Sequence, residues 1–231
     1  MATFTSYTNI LPDPSNPIGV AGQSLSTANG GTVGSGFKNV NFTSTAPIMR
    51  DRTNSGRLIT RAQIYHKWEI KVGYNPMTQA EFNIVNSFLI SRQGTLKPFF
   101  VKLPQYGSVT NLATSETGLV GTTKIQTSTN STPAIGSIFT ITDSSNSNHS
   151  KAYMITAVET ASDHNTVEGA LTGNTRRLHF TPGLQKTVSS GSTLELNNPL
   201  IKVILKSDKT SYSLDQNNLY NLSLQLEEVT T

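Results

Sequence analysis

His66, His149, His164 and His179 are the residues of this chain best suited to proton transfer or metal ligation. None stands in an H-x-H or H-E-x-x-H spacing, the arrangements that bring two imidazoles to one ion. His66 falls on the apolar side of an alternating segment, where a single imidazole reads as a satisfied core or interface residue. His149 falls in a Ser/Asn turn, where solvent is its expected neighbour. The carboxylates are as scattered. Glu227 and Glu228 are adjacent on an extended segment, so their side chains point to opposite faces and cannot form an acid–base pair. Asp143 precedes a Ser-rich turn with no second carboxylate near it, and no D-x-D-x-D calcium spacing occurs. There is no G-x-S-x-G elbow. Gly31-Thr32-Val33-Gly34-Ser35-Gly36 looks like a phosphate loop, but Phe37-Lys38-Asn39 follows where a P-loop needs Gly-Lys-Ser/Thr opening a helix. With no cysteine in its 231 residues, the chain has neither thiol nucleophiles nor disulfides. The expectation is a non-enzyme with no catalytic residues, no cofactor and no metal.

Eighteen Lys and Arg against fourteen Asp and Glu give a net charge of +4, and the basic residues form no run. Most of them read as a solvated surface; on an enclosed wall they would meet phosphates by long-range attraction. No apolar stretch nears the roughly 18–20 residues that span a bilayer, so no membrane partner is expected. The first residues, MATFTSYTNILPDP, lack the basic start and apolar core of a secretory signal, so a soluble product made in the cytosol is expected.

The elements that would position any site are mostly strands. Charged residues are only 14% of the chain, and the polar remainder is Ser, Thr, Asn and Gly, which suits strands and turns. Residues 1–36, with Pro12, Pro14, Pro17 and the Asn29-Gly30-Gly31 turn, read as an extended N-terminal arm. FKNVNFTST alternates, and 37–62 holds short strand candidates. The clearest strand is 63–74, where Ile64, His66, Trp68, Ile70, Val72 and Tyr74 share one face and Lys67, Glu69 and Lys71 the other. A helix is predicted at 79–92: Thr78 and Glu81 form a capping box, Phe82, Val85, Phe88 and Leu89 make one apolar stripe, and Gly94 is the expected stop. Trp68 is expected to pack against that stripe. KPFFVKL (97–103) returns to strand character.

Segment 116–198 changes texture. Short strand candidates at 123–127, 137–143, 151–159, 166–171 and 176–182, separated by Ser/Asn/Gly turns, suggest a small β-barrel or sandwich. Long amphipathic strands then resume at 199–206 and 218–229, where Tyr220, Leu222, Leu224 and Leu226 share a face. The predicted fold is therefore mainly β, sandwich or barrel with one helix. Residues 37–115 and 199–231 make one domain and 116–198 a small β domain inserted into it.

The order of these elements resembles the tail proteins of tailed bacteriophages. A Trp-bearing strand, KWEIKVGYNP, is followed by MTQAEFNIVNSFLISRQG, the aromatic strand KPFFVKLP, and later GSIFTI, KAYMITAV, LHFTPGLQKTVSSGSTLEL, NNPLIKVIL and LYNLSLQLEEV. The similarity spans about 57–104 and 136–229, and is to distal tail proteins and related tail-tip or baseplate ring proteins. It implies a tail-tube-like domain with an inserted small barrel, forming a hexameric ring in the virion, assembled in the host cytoplasm. Such a ring would join the tail tube to the baseplate hub and fibre proteins. On that implication Trp68, Ile70, Val72, Phe82, Val85, Phe88, Leu222 and Leu224 serve core or inter-subunit packing. Lys67, Lys71 and Lys202 would face a lumen through which DNA passes without specific contact. The alternatives are a carbohydrate-binding fibre module, which needs exposed aromatics in 116–198, and a tube, terminator or neck connector protein.

Overall fold

The computed structural model describes residues 9–12, 36–62, 66–102, 111–146, 149–163, 169–171, 173–197 and 199–229. In chain order the elements are β1 (Phe37–Thr45), β2 (Ile48–Arg52), β3 (Leu58–Ala62), β4 (Lys67–Tyr74), α1 (Gln79–Ser91) and β5 (Phe99–Lys102). There follow β6 (Leu112–Ala113), β7 (Lys124–Thr127), β8 (Ile138–Thr142), β9 (Tyr153–Glu159), β10 (Arg176–Thr181) and β11 (Thr193–Glu195), then β12 (Leu200–Leu205), β13 (Tyr212–Leu214) and β14 (Tyr220–Glu228). The described residues are mainly β with one α-helix, as the alternating sequence predicts. It divides into two compact units, one drawn from Met1–Val101 and Lys202–Val229, the other from Lys102–Ile201.

The first unit is built on a sheet of order β1-β4-β14-β12-β5. Strict alternation drives its formation. On β4, Trp68, Ile70, Val72 and Tyr74 are buried, and opposite them on β14 so are Leu222, Leu224 and Leu226. The central register sets Leu224 across from Val72 and Leu226 across from Ile70, so two apolar ridges meet on one face. Helix α1 packs its own stripe here: Phe82, Val85, Phe88 and Leu89 are buried, Phe88 meets Phe99 edge-on at 5.4 Å, and Phe82 stacks on Tyr220 at 4.3 Å. Trp68 is buried on the same face of β4 as Ile70 and Val72. It stacks on Phe42 of β1 at 4.5 Å and meets His66 edge-on at 4.5 Å, while the aromatic residues of α1 meet Phe99, Tyr212 and Tyr220.

The capping pair acts as predicted: the Glu81 carboxylate accepts from the Thr78 N–H at 2.9 Å and from its hydroxyl at 2.8 Å. The helix ends slightly before the expected glycine. Arg92 is the C-cap, and both Gln93 (φ 57°) and Gly94 (φ 63°) are left-handed.

The second unit is a six-stranded sheet of order β6-β11-β8-β9-β10-β7 that curls back on itself. Its end strands meet through an antiparallel Thr114–Thr127 bridge, flanked by Ser115 N–H donating to Gln126 O and Ser128 N–H to Ala113 O. Closure leaves no open margin between these strands. The interior is apolar, with Phe139, Tyr153 and Phe180 at its centre in mutual contact at 5.5–5.6 Å. The strand expected at 166–171 does not form over Gly169–Leu171, and its earlier residues lie outside the described ones.

Most of the predicted N-terminal arm also lies outside the described residues. Its residues 9–12 are packed: Leu11 N–H donates to Phe100 O at 2.8 Å, Ile10 bridges Phe100 in parallel, and Tyr74 Oη donates to Pro12 O. Ile10 and Leu11 are buried, so these residues cover part of the outer edge of β5.

Candidate functional site

Among the described residues no three His, Asp or Glu side chains gather where a metal could bind. The histidines are spread apart. His66 Nε2 pairs with Ser44 Oγ at 2.8 Å, and His179 Nε2 lies 2.7 Å from Glu159, whose other oxygen accepts from buried Arg177 at 3.0 Å. His164 lies outside the described residues. His149 is not solvated as its turn sequence suggests. It is buried, with Nε2 2.7 Å from Tyr153 Oη, because residues 149–153 run from the turn straight into the barrel interior. Burial and nearby Lys186 push its pKa down to about 4. Asp143 is likewise inside. Burial alone would raise its pKa, yet the Ser189, Ser145 and Asn146 donors hold it well below the carboxylate range. His149 and Asp143 are thus internal groups of the second unit, not solvent-facing ones.

The surface with the most organised chemistry is the polar face of the first sheet. The alternation that buries Ile70 and Val72 turns Lys67, Glu69 and Lys71 outward on β4. It turns Ser223, Gln225 and Glu227 outward on β14, and Lys202 and Ile204 on β12. Glu227 and Glu228 do point to opposite faces. Glu228 is buried and accepts the Trp68 N–H at 3.2 Å, while Glu227 joins the polar face.

The register places Glu69 directly across from Glu227, a like-charge pair that is unfavourable by itself. Two lysines resolve it. Lys67 Nζ lies 2.9 Å from Glu227 and 3.6 Å from Glu69, and Lys206 Nζ lies 2.7 Å from Glu69. The bond from Lys206 lowers the pKa of Glu69, and the bond to Glu227 raises that of Lys67. Lys67, named from sequence as a lumen candidate, is thus neutralised within its own chain. Lys71 and Lys202 share the same face and keep it net positive. A shallow dip of about 210 Å³ lies between Asn41, Glu69, Lys71 and Gln225. It is open, and Thr43 and Lys206 also line it. Lys206 and Glu227 were absent from the sequence-derived set. Glu227 could have been found from alternation, whereas Lys206 follows the strand end and only the register brings it to Glu69.

The packing candidates are buried within the single chain: Trp68, Ile70 and Val72 on β4, Leu222 and Leu224 on β14, and Phe82, Val85 and Phe88 on α1. The described aromatics of the second unit, Phe139, Tyr153 and Phe180, are all inside its core, so none offers a ring face to a sugar.

The sheet's margins differ from each other. On one side β1 pairs only with β4, over nine residues from Phe37 to Thr45, and no described strand flanks its outer edge. On the other side, Ile10 and Leu11 lie along part of β5, and β13 flanks β14. The β2–β3 hairpin, a separate two-stranded sheet, lies between β1 and β4 in the chain.

Two comparisons bear on the whole. Residues 27–106 match the family model described as distal tail protein pb9, A domain, N-terminal. Over 206 residues the chain is 26% identical to distal tail protein pb9 of Escherichia phage T5, a match covering 84% of this chain and 93% of the relative.

Proposed function

From its kinship with the phage distal tail proteins, which supports a structural role in a phage tail, we propose that this chain forms a ring at the tail tip. The ring is hexameric, joins the tail tube to the hub, and carries the 116–198 segment as an inserted domain available to fibres or other baseplate parts. Neighbouring copies complete each other's sheets, and the polar face with Lys71 and Lys202 lines the lumen, where DNA passes without sequence-specific contact. The proposed place is the virion, after assembly in the host cytoplasm.

The observation that carries this reading is the contrast between the two units. The second closes its sheet on itself, whereas the first leaves a nine-residue edge, β1, with no described partner. An unpaired edge of that length is an invitation to association. A head-to-tail contact that closes gives a ring.

Negative-stain electron microscopy of the purified protein tests it. Six-fold rings with a central hole are expected, with a mass near 149 kDa for six copies of the 24.9 kDa chain. A species that stays monomeric at high concentration overturns the reading.

A further inference from the structure

Among the described residues, the β2–β3 hairpin buries no large side chain in its own chain. Every described residue of β2 is exposed, as are Leu58, Ile59, Thr60 and Arg61 of β3. Its backbone is nevertheless well specified. Five cross-strand pairs run from Ile48–Ala62 to Arg52–Leu58, and the turn is closed by Gly56 N–H to Thr53 O and Arg57 N–H to Thr53 Oγ1. A lone two-stranded hairpin is marginal in water and gains stability by packing on something.

Alternation sets Ile48, Arg50, Thr60, Arg52 and Leu58 on one face, and Met49, Arg61, Asp51 and Ile59 on the other. Ile48, Met49, Leu58 and Ile59 are 49–59% exposed, so each face carries large apolar groups beside arginine. A ribbon meant only for phosphates would keep its apolar residues to one side. Apolar groups on both faces suit burial in a protein surface.

The opposite flank of the same sheet offers a matching surface. Tyr220 uses both its N–H and its C=O on Met77, at the β4 side, so β13 pairs along the other edge of β14. The hairpin follows the edge strand β1 in the chain, whereas β13 pairs on the edge of β14 turned away from β4 and β1. Tyr212 and Leu214 on β13 are 54% and 52% exposed. Tyr212 lies 4.6 Å from Phe82 and 5.7 Å from Tyr220, which makes a partly open aromatic patch. Guanidinium and aliphatic groups on one side meet ring faces and aliphatic groups on the other. The two surfaces occupy opposite flanks, as a head-to-tail contact between identical copies requires.

We propose that the β2–β3 hairpin of one copy packs on the Tyr212–Leu214 strand and its aromatic patch on the next copy. This rests on the ring reading and names the contact that closes it.

The cysteine-free sequence permits a clean test. Met49→Cys and Leu214→Cys are introduced together, and the assembled protein is oxidised. Two such cysteines bridge only when their Cα atoms come within about 7 Å. The expected result is a ladder of disulfide-linked multimers up to six, with each single variant giving dimers at most. Leu58→Cys with Tyr212→Cys provides a second pair in case the first is misaligned. In parallel, Met49→Glu with Ile59→Glu is expected to abolish the rings while leaving the monomer's circular dichroism unchanged. Rings that persist in this double variant, or rings of the cysteine variants with no ladder from either pair, overturn the hairpin contact and leave the ring reading standing. Absence of rings in the unmodified protein overturns both.

Discussion

Gly94 shows how one atom can decide a residue. Its φ of 63° is left-handed, and a Cβ built there would lie 3.1 Å from the Asp208 Cα and 3.0 Å from its Oδ1. Asp208 is held in place by accepting from Thr95 N–H and Oγ1. Gly94→Ala is expected to lower stability by about 2 kcal/mol, combining the left-handed penalty with this close approach. Gly56 is the internal control: its φ is 82°, yet nothing lies within 4 Å of a Cβ there, so alanine meets only the conformational penalty of about 1 kcal/mol. Paired thermal melts measure both. His149 supplies a pH dependence. Its pKa falls from 6.5 to about 4 on folding, so the unfolded chain binds more protons between those values. Its contribution is therefore fully present above pH 6.5 and is lost as pH falls towards 4, by an amount of the order of 3 kcal/mol. In His149→Gln the barrel's unfolding midpoint should depend less steeply on pH across that window, while the dependence below pH 4 remains.

At the scale of elements, helix α1 depends on both ends of its stripe. Glu81→Ala removes the acceptor for two Thr78 donors and is expected to cost about 1 kcal/mol, read from denaturant midpoints with an unchanged slope. Val72 lies fully buried between the β1 and β14 ladders, opposite Val40 and Leu224. Val72→Ala should therefore cost more, about 2–3 kcal/mol, because a cavity is added to the lost transfer energy. The predicted strands at 199–206 and 218–229 form, as β12 and β14, within two residues of their expected ends. Amphipathic alternation was legible there because one face of each is buried. Strands β6, β11 and β13 are two or three residues long, too short for any period to show. They exist because longer neighbours offer them hydrogen bonds.

At the scale of the whole molecule, the two units have different relations to concentration. The barrel is closed, so its stability belongs to one chain. The first unit, with its open β1 margin, gains stability from association by mass action. Trp68 is the single tryptophan and sits in that unit. Its fluorescence midpoint on heating should therefore rise with protein concentration across the micromolar range. A barrel signal, the fluorescence of Tyr153→Trp in a Trp68→Phe background, should not move. Equal midpoints at all concentrations would oppose assembly through the first unit.

The sequence by itself determined which face each long strand buries, where the helix starts, and that the usual spacings for catalysis and metal binding are missing, since these follow from periods of two and 3.6 and from local motifs. Only the tertiary structure decided partners. Lys67 and Glu227 are 160 residues apart, and no local pattern sets Glu227 across from Glu69 or draws Lys206 to their side. The same holds for His149, whose turn sequence suggests solvent until the following strand carries it inside. It holds also for the margins, because an edge is a property of the finished sheet. Alternation tells a strand which side faces the core, but pairing between distant segments is settled by packing over the whole unit.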